Sequence, residues 1–229
     1  FSMRRQVTEN DRHERVFSSA KARSFHALSS LVQSALIAAL YLALTIATSF
    51  MSFQTIQLRL AEALTALPAL FPSAMLGVFA GCLLSNILNP SPLGLVDIIG
   101  GSATTLISAY LTWIAAKPLR QALAFRLQEK SGSKTREDDA EKSNLPHRGK
   151  RILFLKMVAL LPPVILNALI VGFYLPFLIS ENTPSVWLIV GTMGSILLSQ
   201  AIVVYGIGMP LITALELTPW AKRIYLVEQ

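Results

Sequence analysis

Polar and apolar residues along this chain fall into long blocks. Residues 3–26 are polar, with Arg4, Arg5, Arg12, Arg15, Lys21 and Arg23 against Glu9, Asp11 and Glu14. An apolar block fills 27–50. A second runs from 60 to 88, interrupted by Pro68 and Pro72, and a third covers 93–116 after the turn Asn89-Pro90-Ser91-Pro92. Residues 117–151 are hydrophilic, carry mixed charge and Ser131-Gly132-Ser133, and read as a flexible cytoplasmic loop. Two long apolar blocks follow. One, 152–180, is kinked by Pro162-Pro163 with Asn167 about a turn beyond; the other, 185–215, contains Gln200, Tyr205, Gly206 and Gly208. About 20 apolar residues in a helix match the hydrocarbon thickness of a bilayer, so the blocks predict an all-α membrane protein. Trp220, Lys222, Arg223 and Tyr225 in the tail suit an interfacial anchor.

Composition agrees. The chain is 53% hydrophobic and 14% charged, with mean hydropathy +0.54, whereas a soluble domain carries about 25% charged residues. The net charge of +7 is not read as a nucleic-acid surface, because the basic residues cluster in segments that flank apolar runs. Phe1-Ser2 ahead of Met3 reads as a remnant preceding the natural start and is set aside. The first apolar run lacks a small-residue cleavage site and reads as a retained span. Cys82, the single cysteine, has no internal disulfide partner.

Lysines and arginines orient the spans. Six lie in the amino-terminal tail, ten in 117–151 and two in the carboxyl-terminal tail, while the connections near 51–59, 89–92 and 181–184 hold only Arg59. All three basic regions share one side only if an even number of spans separates the first from the second. Splitting 60–88 at Pro72 satisfies this and predicts a six-transmembrane-helix bundle with both termini in the cytoplasm. The alternative is a re-entrant hairpin over 60–88 entering from outside. The expected organisation is a cytoplasmic tail over 1–26, a six-helix transmembrane domain over 27–216 with the charged loop 117–151, and a cytoplasmic tail over 217–229.

Arg59 and Glu62 stand three residues apart, one helical turn, and can face the same way. Charge so close to hydrocarbon is costly unless it pairs or lines a polar cavity, which makes these residues a candidate site; the bland alternative is an interfacial salt bridge with Arg59 snorkelling outward. Asp97 is the other acid expected at the outer half of the bundle, while Glu216 falls at the inner end of the last span. Asn86, Asn167 and Gln200 are the strongest uncharged hydrogen-bonding groups at membrane depth, either lining a pocket or bonding helix to helix. Two acids, one arginine and several amides suit a small planar solute rich in N–H donors, since a carboxylate accepts two parallel N–H bonds. Ala35, Ala39, Ala43 and Ala47 form a small-residue ridge on the first span, and Gly77, Gly81 and Ser85 repeat that spacing later.

Motifs for an enzyme or a self-powered pump do not occur. There is no G-x-x-x-x-G-K-[ST], H-E-x-x-H or G-x-S-x-G. His13, His26 and His147 fall in predicted cytoplasmic segments, so no metal or cofactor is expected in the bundle. No obvious inverted repeat joins the two halves, which disfavours a standard secondary transporter.

Three runs carry a resemblance: Ile56-Gln57-Leu58-Arg59-Leu60-Ala61-Glu62-Ala63-Leu64 followed by Leu67-Pro68; Gly77-Val78-Phe79-Ala80-Gly81-Cys82-Leu83-Leu84-Ser85-Asn86; and Leu95-Val96-Asp97-Ile98-Ile99-Gly100-Gly101-Ser102. Together they resemble the QueT family, predicted queuosine-precursor-binding S-components of energy-coupling factor (ECF) transporters. The resemblance is specific over roughly 30–116 and looser beyond. It implies six helices, a solute site near the outer face, a separate transmembrane coupling protein and two cytoplasmic ATPases, so that ATP hydrolysis resides on partners. It implies 7-deazaguanine ligands (queuine, or precursors with a 7-cyano or 7-aminomethyl group), and it places Ala35, Ala39 and Ala43 at the coupling-protein interface. Site residues expected on this basis are Arg59, Glu62, Asn86, Asp97, Asn167 and Gln200. Two departures are the long charged 117–151 loop and Gly100-Gly101, where a glycine beside a bulkier residue is expected. The competing readings are a stand-alone proton-coupled secondary transporter or channel, an S-component for another vitamin-like solute, and an intramembrane enzyme acting on a lipid or isoprenoid.

Overall fold

The computed structural model describes residues 24, 27–48, 59–89, 93–132, 145–180 and 182–218, with side chains left undescribed over 127–148. The expected tail over 1–26 (Ser24 apart) and the aromatic–basic anchor at 220–225 lie outside the described residues. Every element described is helical. In order these are α1 (Ala27–Ala47), a 3-10 helix (Leu60–Ala69), α2 (Ser73–Ile87), α3 (Leu95–Ala115) and α4 (Lys117–Gly132). A helix beginning at Leu145 then carries the long span α5 (Gly149–Ile179), and α6 covers Val186–Glu216.

Among the described residues four helices, α1, α3, α5 and α6, have the length and hydropathy to cross a membrane. The other two of the six helices expected from the sequence, over 60–87, are present as shorter arms. The break between them falls at Leu70–Pro72, where proline withholds an N–H and disfavours a helical residue before it. Ten residues of 3-10 helix rise about 2.0 Å each and reach roughly 20 Å. The 15 residues of α2 reach roughly 22 Å.

A 3-10 run of ten residues is unusual, since its hydrogen bonds are poorer than those of an α-helix. Here it is buried from Ala61 to Ala69 and held by packing. Gly208 lets α6 lie directly on it: a Cβ there would stand 2.8 Å from Ala63 O and 3.1 Å from Ala66 Cβ. Arg120 anchors its far end by donating to Ala69 O (3.3 Å) and Trp113 O (2.8 Å), with its guanidinium over the Trp113 ring.

Cross-contacts give the direction of each run. Ser34 Oγ donates to Ser73 O at 2.7 Å, and a Cβ on Gly81 would stand 2.5 Å from Tyr41 Cβ, so α1 and α2 run parallel. The close approach uses the glycines of α2, while Ala35, Ala39 and Ala43 of α1 remain exposed. Helices α5 and α6 are antiparallel: Gly172 meets Met193 at one end, and Lys156 pairs with Glu216 (2.8 Å) and donates to Thr213 Oγ1 (2.9 Å) at the other.

Two features correct the sequence-based picture. The stretch 117–151 is helical over Lys117–Gly132 and from Leu145 onward, rather than a loop throughout. Residues such as Leu119, Arg120, Gln121, Ala122 and Leu123 favour helix, and hydrophilicity moves a segment out of the membrane without unwinding it. Secondly, α5 and α6 each contain a π-helical turn, Asn167–Val171 and Val204–Gly208. Both precede a proline: Pro210 loosens the ladder at Gly206 inside its turn, and Pro176 does so at Gly172, just past the other. Pro162-Pro163, the expected kink, follows a separate turn at Leu160.

Candidate functional site

Helical spacing assembles a polar cavity at the end of the bundle that holds Arg59. The 3-10 helix has three residues per turn, so Arg59 at its start and Glu62 share a face. On α3, Asp97, Gly101 and Thr105 recur every four residues. Asn167, Val171 and Tyr174 follow at steps of four and three on α5, and Ile196 and Gln200 at a step of four on α6. With Cys82 of α2, these residues line a cavity with an open mouth.

The carboxylates sit in this cavity with little access to water: Glu62 is 3% and Asp97 4% exposed. Each is met by donors. Tyr41 Oη donates to Glu62 Oε1 at 2.6 Å and Asn167 Nδ2 donates to Oε2 at 3.5 Å, while Tyr174 Oη donates to Asp97 Oδ1 at 2.9 Å. Both acids are close enough to Arg59 to interact with it electrostatically. Arg59 Nη1 donates to Asn86 Oδ1 at 3.2 Å, and Asn86 Nδ2 donates to Asp97 O at 3.4 Å. The Thr105 hydroxyl lies 3.0 Å from Gly101 O and 3.3 Å from Cys82 Sγ. Gln200, 7% exposed, presents an Oε1 with no hydrogen-bond partner among the described residues. An unmatched buried acceptor is costly, and one turned to a cavity suits an incoming donor.

Of the six candidates from the sequence, Arg59, Glu62, Asp97, Asn167 and Gln200 line the cavity together. Asn86 does not; it stands behind the wall, bridging Arg59 to the start of α3. Tyr41, Tyr174, Cys82 and Thr105 join the site without having been singled out. For Tyr174 the signal was present, seven residues after Asn167 on the same helical face. For Tyr41 there was none, because its partner Glu62 belongs to a different element.

Gly101 explains part of the Gly100-Gly101 departure. A Cβ at 101 would stand 3.1 Å from Asn86 Nδ2, 3.4 Å from Tyr174 Oη and 3.8 Å from Asp97 Oδ1. Gly101→Val is expected to fill the cavity and lower solute affinity at least tenfold, about 1.4 kcal/mol. Gly100→Ala meets the Tyr174 ring at ordinary contact distance and is expected to bind normally. Titration of both variants checks this.

Long apolar helices closing on a cavity with two carboxylates and a guanidinium make this a helical membrane protein built to handle a small polar solute, a membrane transporter by class. The QueT transporter family model matches residues 31–217, and the chain belongs to that family. No curated protein and no solved structure matches it.

Proposed function

We propose that this protein is the solute-binding membrane subunit of an ATP-driven ECF importer, capturing a 7-deazaguanine queuosine precursor from outside the cell. The observation that carries the proposal is the cavity itself. Glu62 and Asp97 offer acceptors for the N1–H and 2-amino edge of the ring, Asn167 and Gln200 offer amides for the remaining edge, and Val171, Tyr174 and Ile196 supply apolar lining. One carboxylate meets that edge, and the other is available to a substituent.

The run directions support six passes with cytoplasmic termini. The 3-10 helix runs from Arg59 toward Arg120 and α2 returns, so both short arms traverse the bundle between the same two ends as the long spans. The basic 117–151 stretch, which includes Arg120, supports a cytoplasmic position for that end and hence an outward-facing cavity. The domain layout follows: tails over 1–26 and 217–229, and a transmembrane domain over 27–216 with a cytoplasmic 117–151 segment. ATP hydrolysis then falls to separate subunits reached through a coupling protein.

Exposure of Ala35, Ala39 and Ala43 supports the outward ridge of α1 as the docking face for that protein. Ala39→Trp is expected to leave solute affinity unchanged and abolish co-purification with the coupling protein. Lost solute binding would instead mean that the ridge packs within the subunit.

Titration calorimetry in detergent with queuine and with 7-cyano- and 7-aminomethyl-7-deazaguanine, using guanine and riboflavin as controls, tests the substrate. Submicromolar binding of one deazaguanine and none of the controls is expected. Absence of binding across the panel overturns the substrate assignment. Uptake by this chain alone, abolished by an uncoupler, would favour a proton-coupled transporter.

A further inference from the structure

We propose that the cavity selects a cationic solute, with Asp97 as the residue that receives the ammonium group. Where this names a 7-aminomethyl group, it rests on the function proposed above. The inference comes from counting charge. Two carboxylates, Glu62 and Asp97, face one guanidinium, Arg59. Among the described residues no other cation lines the cavity, and Arg59 is the one Lys or Arg between residues 24 and 116, with none between 157 and 221. The remaining charged residues of those stretches are Glu181, also acidic, and Glu216, which is paired with Lys156 at the opposite end of the bundle. With both acids ionised the cavity holds one negative charge in excess, in surroundings where an uncompensated charge is costly. A ligand bringing a positive charge removes that cost, whereas a neutral ligand leaves it in place.

The hydrogen bonds indicate which acid remains available. Glu62 accepts one bond on each oxygen, from Tyr41 and Asn167. At Asp97 the side-chain bond falls on Oδ1 alone, from Tyr174. Asp97 lines the cavity beside Gly101, whose missing side chain leaves the carboxylate uncovered on that side. An ammonium in the cavity reaches the carboxylate with three donors to offer. Glu62 then keeps the planar N–H edge of the ring.

Two measurements test the proposal. In the first, 7-aminomethyl- and 7-cyano-7-deazaguanine are titrated into the wild-type protein and Asp97→Asn, each in two buffers of different ionisation enthalpy. The aminomethyl compound is expected to bind at least about tenfold more tightly to the wild type without taking up a proton, and Asp97→Asn is expected to abolish that preference while still binding the cyano compound. Equal affinities in the wild type, or a preference that survives in Asp97→Asn, overturn the proposal. The second measurement does not depend on the substrate. Cys82, the sole cysteine, lines the cavity, and its modification by cationic aminoethyl and anionic sulfonatoethyl methanethiosulfonate can be compared, normalised to a free thiol. The cationic reagent is expected to react faster, with a smaller ratio in Asp97→Asn; equal normalised rates overturn the charge selection. If no deazaguanine binds while the cationic reagent is still favoured, the substrate assignment falls and the charge selection stands.

Discussion

Glu62→Gln is expected to weaken solute binding at least tenfold, about 1.4 kcal/mol, and Glu62→Ala at least a hundredfold, about 2.7 kcal/mol. Glu62 is where the requirements of the cavity meet. Its two oxygens take donors from Tyr41 and Asn167, on helices far apart in sequence, and it is one of two charges facing Arg59. Glutamine keeps the shape but replaces one acceptor by an N–H2 group, which then confronts a hydroxyl or an amide already arranged as donors. Alanine leaves Tyr41, fully buried, with no acceptor and removes the acceptor proposed for the ligand's N–H edge. Calorimetric titration gives the affinities, and ligand-free melting of the same samples separates lost binding from lost folding. Asp97→Asn is expected to lose at least tenfold as well. Unchanged affinity in both Glu62→Gln and Asp97→Asn would remove these acids from the site.

Lys156→Met is expected to lower stability by about 2–3 kcal/mol, read as a fall in melting temperature in detergent, with solute affinity in the surviving folded fraction unchanged. Lys156 is 6% and Glu216 10% exposed at the side chain, and the lysine also donates to Thr213. Removing the lysine strands a carboxylate whose Oε1 has no other partner among the described residues. Breaking a fully buried pair typically costs about 3–5 kcal/mol, and the position of Glu216 at the end of α6 lowers that figure. The double variant Lys156→Met/Glu216→Leu is expected to recover most of the loss, since no charge is then left unpaired. A double variant no more stable than the single one would mean that the lysine acts through packing rather than charge.

These two pairs show what could be read from the sequence. Glu62 was legible because an acid three residues from an arginine, between apolar blocks, is costly wherever it does not serve a site. Lys156 escaped notice because it opens an apolar span and looks like a flanking charge; its partner lies 60 residues away and only folding brings the two together. The same division runs through the fold. Long spans follow from hydropathy, and the break near Pro72 follows from proline chemistry. The 3-10 geometry of Leu60–Ala69 does not, because tertiary burial between α3 and α6 sustains a conformation that local preference would not choose. The helices within 117–151 are not legible from polarity, because polarity decides location and not backbone conformation. The four-residue spacing puts Ala35, Ala39 and Ala43 on one face, but the exposure of that face needs the structure, since Gly77 and Gly81 make an equally good candidate for the close contact.

The cavity between the 3-10 helix, α2, α3, α5 and α6 as the solute site is tested most directly by the reactivity of Cys82. It is the chain's sole cysteine, 1% exposed, and it lines the cavity beside Thr105. The measurement is the rate at which a small neutral thiol reagent, methyl methanethiosulfonate, modifies Cys82 in the purified protein, with and without a saturating concentration of a deazaguanine shown by titration to bind. The solute is predicted to slow modification at least tenfold, because reagent and ligand compete for one space. A rate unchanged by a solute that demonstrably binds would place the binding site elsewhere and contradict the account.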